Sequence, residues 1–503
     1  MPPAHAAPSA LPSGDEEHLR LLGYESKLHR RMGGFGNFAS SFSVISILSG
    51  CMTMFAFGMN AGGPAVMFWG WIGVGAMVLF VGAALAEVTS AYPTSGALFY
   101  MDHQLGGPRW SFAVGWLNLL GLIGGICGID YGAASFVGAF LNMQFGYAPT
   151  PLGLLGIFAV ILLLHAALNV RGVRLLSVLN SISVWWHLGG VVLIVAALAF
   201  APVHHQDASW VTTHFVNNTG WSNPLYVSAL GLLLAQYTFS GYDASAHMSE
   251  ETTRASVAAP RGIVRSILVS WIAGAVLLAG LLFSIGDYDA VLNSSTGVPP
   301  AQIFLDALGL TGAKALLLVV IGAQLFCGNA ETAASARMVY AFSRDGALPA
   351  SGLWSRLSER TGTPVAGVWL SVVAAFVLAL PSLYSTVAYG AVTAVNVVGM
   401  TPAYAVPVYL RLRRGGRFRP GPWNLGRRGP LVGWIAVVWV ALVSVVVCLP
   451  QSYPVTVDTF NYAPVALLAV LLLAAVWWRW GRRTYAPPVQ QSAELVELAG
   501  EVV

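Results

Sequence analysis

A chain of 503 residues in which 56% are hydrophobic and only 9% charged cannot be an ordinary soluble domain, whose charged fraction is about a quarter. Its mean hydropathy of +0.69 comes from apolar stretches of about 20 residues, each long enough to cross a bilayer as a helix, which excludes the short alternating strands of a membrane barrel. The formal net charge of +4 says less than where the charges fall.

In chain order, residues 1–35 form a polar tail with no apolar core ahead of its charges, so it is read as a cytoplasmic tail rather than a cleaved signal. Twelve spans are expected, at 36–58, 64–90, 111–143, 152–169, 176–201, 224–246, 263–285, 312–341, 364–381, 385–410, 431–450 and 461–480. A second tail follows at 481–503. Arg20, Lys27, Arg30 and Arg31 precede span one. Arg109, Arg171, Arg174, Arg254, Arg261, Arg265, Arg344, Arg356 and Arg360 fall in alternate connections, as do the arginines of 411–428. This positive-inside pattern places both termini in the cytoplasm. The arginine-rich loop between two spans reads as topology and anionic-lipid contact rather than nucleic-acid binding. Cys51, Cys127, Cys327 and Cys448 lie far apart in apolar runs, with neither disulfide nor metal spacing.

Two spans contain an interruption. Span one reads "FASSFSVISILSGCMTMFAFGMNAGGPAV" with Ser49-Gly50 in mid-run, and span six carries Ser240-Gly241 at comparable depth in "FSGYDASAHMSEET". Spans one and six run in opposite directions, which two inverted five-helix halves would produce. Unwound backbone is tolerable in a bilayer only where it lines a protein-enclosed cavity. A half-helix beginning after Gly50 would offer N–H groups to a carboxylate. Carbonyls freed around Phe239 to Tyr242, with Asp243, would suit an ammonium.

Together with these breaks, the segments "LGYESKLHRRMGGFGNFASSFSVIS", "AGGPAVMFWGW", "ALAEVTSAYPTSGALFY" and "RMVYAFSRDGALP" make the chain resemble the APC amino acid permeases, closest to the amino acid/choline branch that includes γ-aminobutyrate and amine carriers. The resemblance covers residues from about 22 to 480. It implies an all-α integral membrane protein with a five-plus-five inverted repeat, residues 36–201 and 202–410 forming the halves and 411–480 two peripheral helices. It also implies alternating access, with the substrate held at the breaks. Ser49, Gly50 and Cys51 match the carboxylate-binding stretch; Phe239, Ser240, Gly241, Tyr242 and Asp243 match the opposing one. Relatives often carry Gly-Ser/Thr-Gly where this chain has Leu48-Ser49-Gly50.

Asp243, an acid at the depth of a break, is the leading substrate and proton-coupling candidate. Asp130, in "GLIGGICGIDYGAASF", points to the side of span three opposite the Gly124, Gly128 and Gly132 stripe, and is read either as cavity-lining or as structural. His187, alone in the apolar part of span five, sits on the helix where some proton-coupled relatives carry a basic residue. Glu331 is either a cavity group or a partner of Arg337. Glu87, Glu250 and Glu251 at helix ends are gate candidates with Arg254, Arg337 or Arg344. Tyr237 and Tyr242 are aromatic candidates for an ammonium.

The expected function is secondary active transport of an amino acid or small amine across the plasma membrane. Protons are the expected coupling ion and no cofactor or metal is called for; exchange or sodium symport is the alternative. A passive channel is the rival class, and it would need a continuous polar lining. An enzyme lacks a catalytic cluster, and an ATP-driven pump lacks a P-loop. Neither the substrate's identity nor the oligomeric state is legible.

Overall fold

The computed structural model describes residues 14–488 except 26, 203 and 385–387; the far ends of both tails, 1–13 and 489–503, lie outside the described residues. Apart from two isolated bridges, Met32 with Thr252 and Ala61 with Asn217, every regular element described is a helix. Ten helices among the described residues are long and apolar enough to cross a membrane. They include Gly34–Thr53 (span one), Gly63–Ala91 (two), Pro108–Phe145 (three), Pro151–Asn169 (four), Val173–Phe200 (five), Ala255–Phe283 (seven) and Pro299–Arg344 (eight). Two further stretches lie where spans six and ten are expected. One is broken into Pro224–Gly231, Leu233–Thr238 and Ala244–His247; the other runs Ala388–Arg414 with Pro402 and Pro407 inside.

Local sequence sets many of the boundaries. Proline occupies the first turn of the helices that begin at Pro108, Pro151, Pro224 and Pro299, where its missing N–H costs nothing. Thr150 caps one start through the Gly153 amide, and Asn223 caps another through Leu225 and Tyr226. Span eight is longer than the expected 312–341, because a helix from Pro299 joins it across Gly309 at φ 67°. The polar stretch between spans eight and nine contains a short helix, Ser351–Trp354.

Large apolar side chains such as Phe200 (88% exposed) and Val192 (69%) face outward, as a lipid-facing surface requires. Inside, small residues let helices approach closely. The glycine stripe of span three packs against span ten: a Cβ on Gly124 would lie 2.9 Å from the Asn396 amide nitrogen, and one on Gly121 2.7 Å from that of Met400. Asp130, on the other side of the helix, faces spans four and eight. Spans three, eight and ten therefore form a tight wall behind the two breaks.

Candidate functional site

The break in span one lies at Ser46, not at the expected Ser49-Gly50. Gly34–Ile45 ends at Ser46, whose φ of 31° and ψ of 85° are left-handed, and Ile47–Thr53 resumes directly. The amides of Ser49 and Gly50 both close on the Ser46 carbonyl, at 2.8 and 2.9 Å, so those two residues are helical. Gly50 has a different role: a Cβ there would lie 2.8 Å from Thr238 Cα. Its bareness lets span one cross span six at the level of the second break, and that crossing, rather than unwinding, requires the glycine.

Span six unwinds where the sequence indicates. Leu233–Thr238 stops at Phe239, Gly241 takes φ 82°, and Ala244–His247 follows. Its loosened peptide groups are partly taken up by side chains. The Gly241 amide donates to the Tyr404 hydroxyl (3.0 Å), and Ser41 of span one donates to the Tyr242 carbonyl (2.6 Å). Tyr404 in turn donates to Asp243 Oδ1 at 2.9 Å, while Asn118 and His247 contact Oδ2, each at 3.2 Å. Asp243 is thus a fully buried hub tying span six to spans three and ten.

Between the breaks lies a small cavity of about 20 Å³, bordered by Ser49, Gly50, Ser240, Gly241, Asn396 and Glu331, room for a water-sized group. Glu331 is 1% exposed, and its Oε2 has no hydrogen-bond partner among the described residues. Its carboxylate lies 3.7 Å from where a Cβ on Gly241 would sit. A buried carboxylate oxygen without a donor is costly, and the cavity beside it is where a donor would come from. A larger cavity of about 300 Å³ extends toward the loops at 297–299 and 451, lined by Met52, Phe57, Phe136, Thr393 and Val397 among others. Tyr237 borders both cavities.

Of the residues expected at the site, Ser49, Gly50, Tyr237, Ser240 and Gly241 border the small cavity. Cys51, Phe239, Tyr242, Asp243 and Asp130 do not. Cys51 is buried in the core, Phe239 packs on Trp71 with ring centres 4.7 Å apart, and Tyr242 lies against Tyr404 at 4.4 Å. Asp130 Oδ2 pairs with His165 Nδ1 of span four at 3.0 Å. His187 meets the break itself. Its Nε2 is 2.7 Å from Ser46 Oγ, and its Nδ1 is 2.8 Å from the Ser183 carbonyl. Since a carbonyl only accepts, Nδ1 carries a proton, and in the neutral ring Ser46 donates to Nε2.

The arginine-bearing end is closed. Arg337 forms three hydrogen bonds with the Glu251 carboxylate, at 3.1 to 3.3 Å, both side chains being no more than 1% exposed. Arg344 grips Glu250 at 2.9 and 3.0 Å. Glu87 pairs instead with Arg411 (2.9 Å) and accepts from the Leu425 amide, which holds the arginine-rich loop. Across this end runs the N-terminal strap. Met32 donates to the Glu251 carbonyl and accepts from the Thr253 amide, while Tyr24 stacks 3.8 Å from the Arg344 guanidinium and donates to Asp345 at 2.6 Å. Burial pushes the Asp345 carboxyl up to about 6 against the pull of Arg344 and Tyr24. Burial, with Asp345 beside it, pushes the Tyr24 phenol well above its usual range.

The sequence reading missed Tyr404, Asn118, Asn396 and His247 and left Glu331 undecided. His247 stands four residues after Asp243, a helical spacing visible in the sequence. Asn396 is a lone amide in an apolar run. Nothing in the sequence distinguishes Tyr404 from other membrane tyrosines.

The profile of a family described as amino acid permease matches residues 34–472. The chain is 37% identical to amino-acid permease BAT1 of Arabidopsis thaliana, over 94% of this chain and 96% of that protein. It is 39% identical to the BAT1 homolog of Oryza sativa subsp. japonica, over 92% and 94%. It is also 30% identical to the GABA-specific permease of Saccharomyces cerevisiae, over 94% and 85%. With helices suited to repeated membrane crossing and a match of this extent, the chain belongs to the amino acid permease family of membrane transporters within the APC superfamily.

Proposed function

We propose that this protein is a secondary carrier that moves an amino acid or small amine, γ-aminobutyrate among the candidates, across the plasma membrane by alternating access and coupled to protons. Its twelve spans form a five-plus-five inverted repeat over 36–201 and 202–410, followed by two peripheral helices, with both termini cytoplasmic. The observation that carries this reading is the small cavity between two interrupted helices with an unpartnered buried carboxylate, Glu331, at its edge.

The substrate carboxylate lies against the start of Ile47–Thr53, where the helix dipole is positive. The ammonium lies against Ser240, Gly241 and Glu331. The larger cavity is the entry vestibule, with Tyr237 between it and the site, and the Glu251–Arg337 and Glu250–Arg344 pairs close the cytoplasmic end. This is the outward-facing state of the cycle. Release inward requires breaking those pairs, so the path is never open at both ends, which favours a carrier over a passive channel.

Two buried groups support proton coupling. His187 holds the Ser46 hydroxyl at the break, and protonating it turns Nε2 from acceptor to donor, reversing that hydrogen bond. His247 lies beside the Asp243 hub, its Nε2 3.2 Å from Oδ2 and its Nδ1 3.1 Å from the Ser95 carbonyl.

The test is uptake of a labelled panel of L-amino acids, γ-aminobutyrate, choline and polyamines into proteoliposomes. The reading expects saturable uptake of at least one amino acid or amine, accelerated by unlabelled substrate on the far side and driven by an imposed pH gradient without sodium. Non-saturable flux without such acceleration would make it a channel.

A further inference from the structure

Away from the transport path, a cavity of about 260 Å³ opens between the start of span one and the start of span seven. Phe35 and Phe38 form its apolar wall, with ring centres 5.9 Å apart and Phe35 49% exposed. Arg254, Arg261 and Arg265 form its charged side; all three are exposed. Arg261 and Arg265 are four residues apart on one helix and share a face. The guanidinium groups have no hydrogen-bond or ion-pair partner among the described residues.

The acid bonded to this helix start is Asp15, and its carboxylate is already engaged. Its oxygens accept from the backbone amides of Arg254 (2.6 Å) and Ala255 (3.1 Å), capping the helix start. What remains open is therefore a cluster of three cations beside exposed phenylalanine. A small soluble anion would satisfy the arginines and leave the aromatic wall without purpose. A phospholipid meets both, since its phosphate and its upper acyl chain sit at the depth where the end of a spanning helix places arginine and phenylalanine.

We propose that this cavity binds one anionic phospholipid, its phosphodiester on Arg254, Arg261 and Arg265 and its acyl chain against Phe35 and Phe38. Bound there, the lipid bridges the half of span one that precedes the Ser46 break to the helix that follows span six. It thereby stabilises the closed end of the carrier. The site is independent of which substrate is carried.

The experiment uses the purified full-length chain in detergent, with phosphatidylglycerol, phosphatidylcholine or inorganic phosphate added, reading retained lipid by native mass spectrometry and the thermal midpoint. Phosphatidylglycerol should raise the midpoint and stay bound, while phosphatidylcholine and phosphate should do neither. R261Q/R265Q should retain phosphatidylglycerol roughly 30-fold less well, at about one surface-charge contribution per arginine. R356Q/R360Q, which removes the same charge from the connection between spans eight and nine, where both arginines are exposed, should behave as wild type. Equal retention by R261Q/R265Q would overturn the proposal, as would an equal loss in R356Q/R360Q. The wild type alone is also decisive: equal protection by phosphatidylcholine, or by inorganic phosphate that competes with phosphatidylglycerol, would refute an anionic-lipid site even if a variant failed to fold.

Discussion

Replacing Arg337 with methionine removes three hydrogen bonds to the Glu251 carboxylate, a fourth to the Ala333 carbonyl, and the only ion-pair partner, among the described residues, of a carboxylate that is 0% exposed. Removing one member of such a pair costs about 3–5 kcal/mol, because the other charge is left buried and uncompensated. If the pair exists only while the cytoplasmic end is closed, that cost falls on the closed state alone, and at about 1.4 kcal/mol per decade it moves the open population up by more than about a hundredfold. The strap reports the change directly. The Met32 amide donates to the Glu251 carbonyl and the Thr253 amide to the Met32 carbonyl, both at the closed end, so opening exposes both to exchange. Hydrogen exchange of peptides spanning residues 28–36 and 250–256 should therefore accelerate by about two orders of magnitude in R337M. In E251Q/R337M, where no uncompensated charge remains, most of that protection should return. Unchanged exchange in R337M, or a double variant as labile as the single one, would refute the assignment of this pair to the closed state.

Other consequences follow from single contacts. Gly50→Ala places a methyl 2.8 Å from Thr238 Cα, so the thermal midpoint should fall as expected for overpacking of about 1–3 kcal/mol, with uptake reduced; an unaltered midpoint would mean that spans one and six do not cross there. His187→Phe removes the hydrogen bond to Ser46 and should abolish accumulation driven by a pH gradient while sparing exchange of substrate for substrate, both read in proteoliposomes. Accumulation that persists would take His187 out of the coupling. Asp345, raised by burial from 3.8 to about 6, holds a proton in the folded protein that the unfolded chain releases. Its contribution is fully present below about pH 4 and is lost as the pH rises through about 6. Asp345→Asn should flatten the thermal midpoint over that window, and a pH profile identical to wild type would count against it.

Composition and hydropathy were enough to read the helical membrane class, because it depends on the average chemistry of long segments. The break in span six was legible because Ser240-Gly241 beside Asp243 is an expensive combination inside a membrane helix. The break in span one was not. Ser46 reaches the left-handed region without glycine, held by the network around it, while Gly50 matters in the helix for its lack of a side chain toward Thr238 rather than for its backbone freedom. The same limit explains the acids. Asp243, Asp130 and Glu331 look alike in sequence, and only tertiary packing gives the first three partners, the second a histidine, and the third an open oxygen beside the cavity. That acids and arginines at helix ends would pair was legible in kind, but not that Glu87 would pair with Arg411.

The central claim is that the Glu331 carboxylate receives the substrate's ammonium, and binding to the purified carrier tests it most directly. For the amino acid or amine that the wild type transports fastest, equilibrium binding to Glu331→Gln should weaken by about one to two orders of magnitude, the worth of a charge-assisted hydrogen bond of about 1.5–3 kcal/mol, with the thermal midpoint of the unliganded protein kept or raised. Substrate affinity equal to that of the wild type in a folded Glu331→Gln protein would contradict the account.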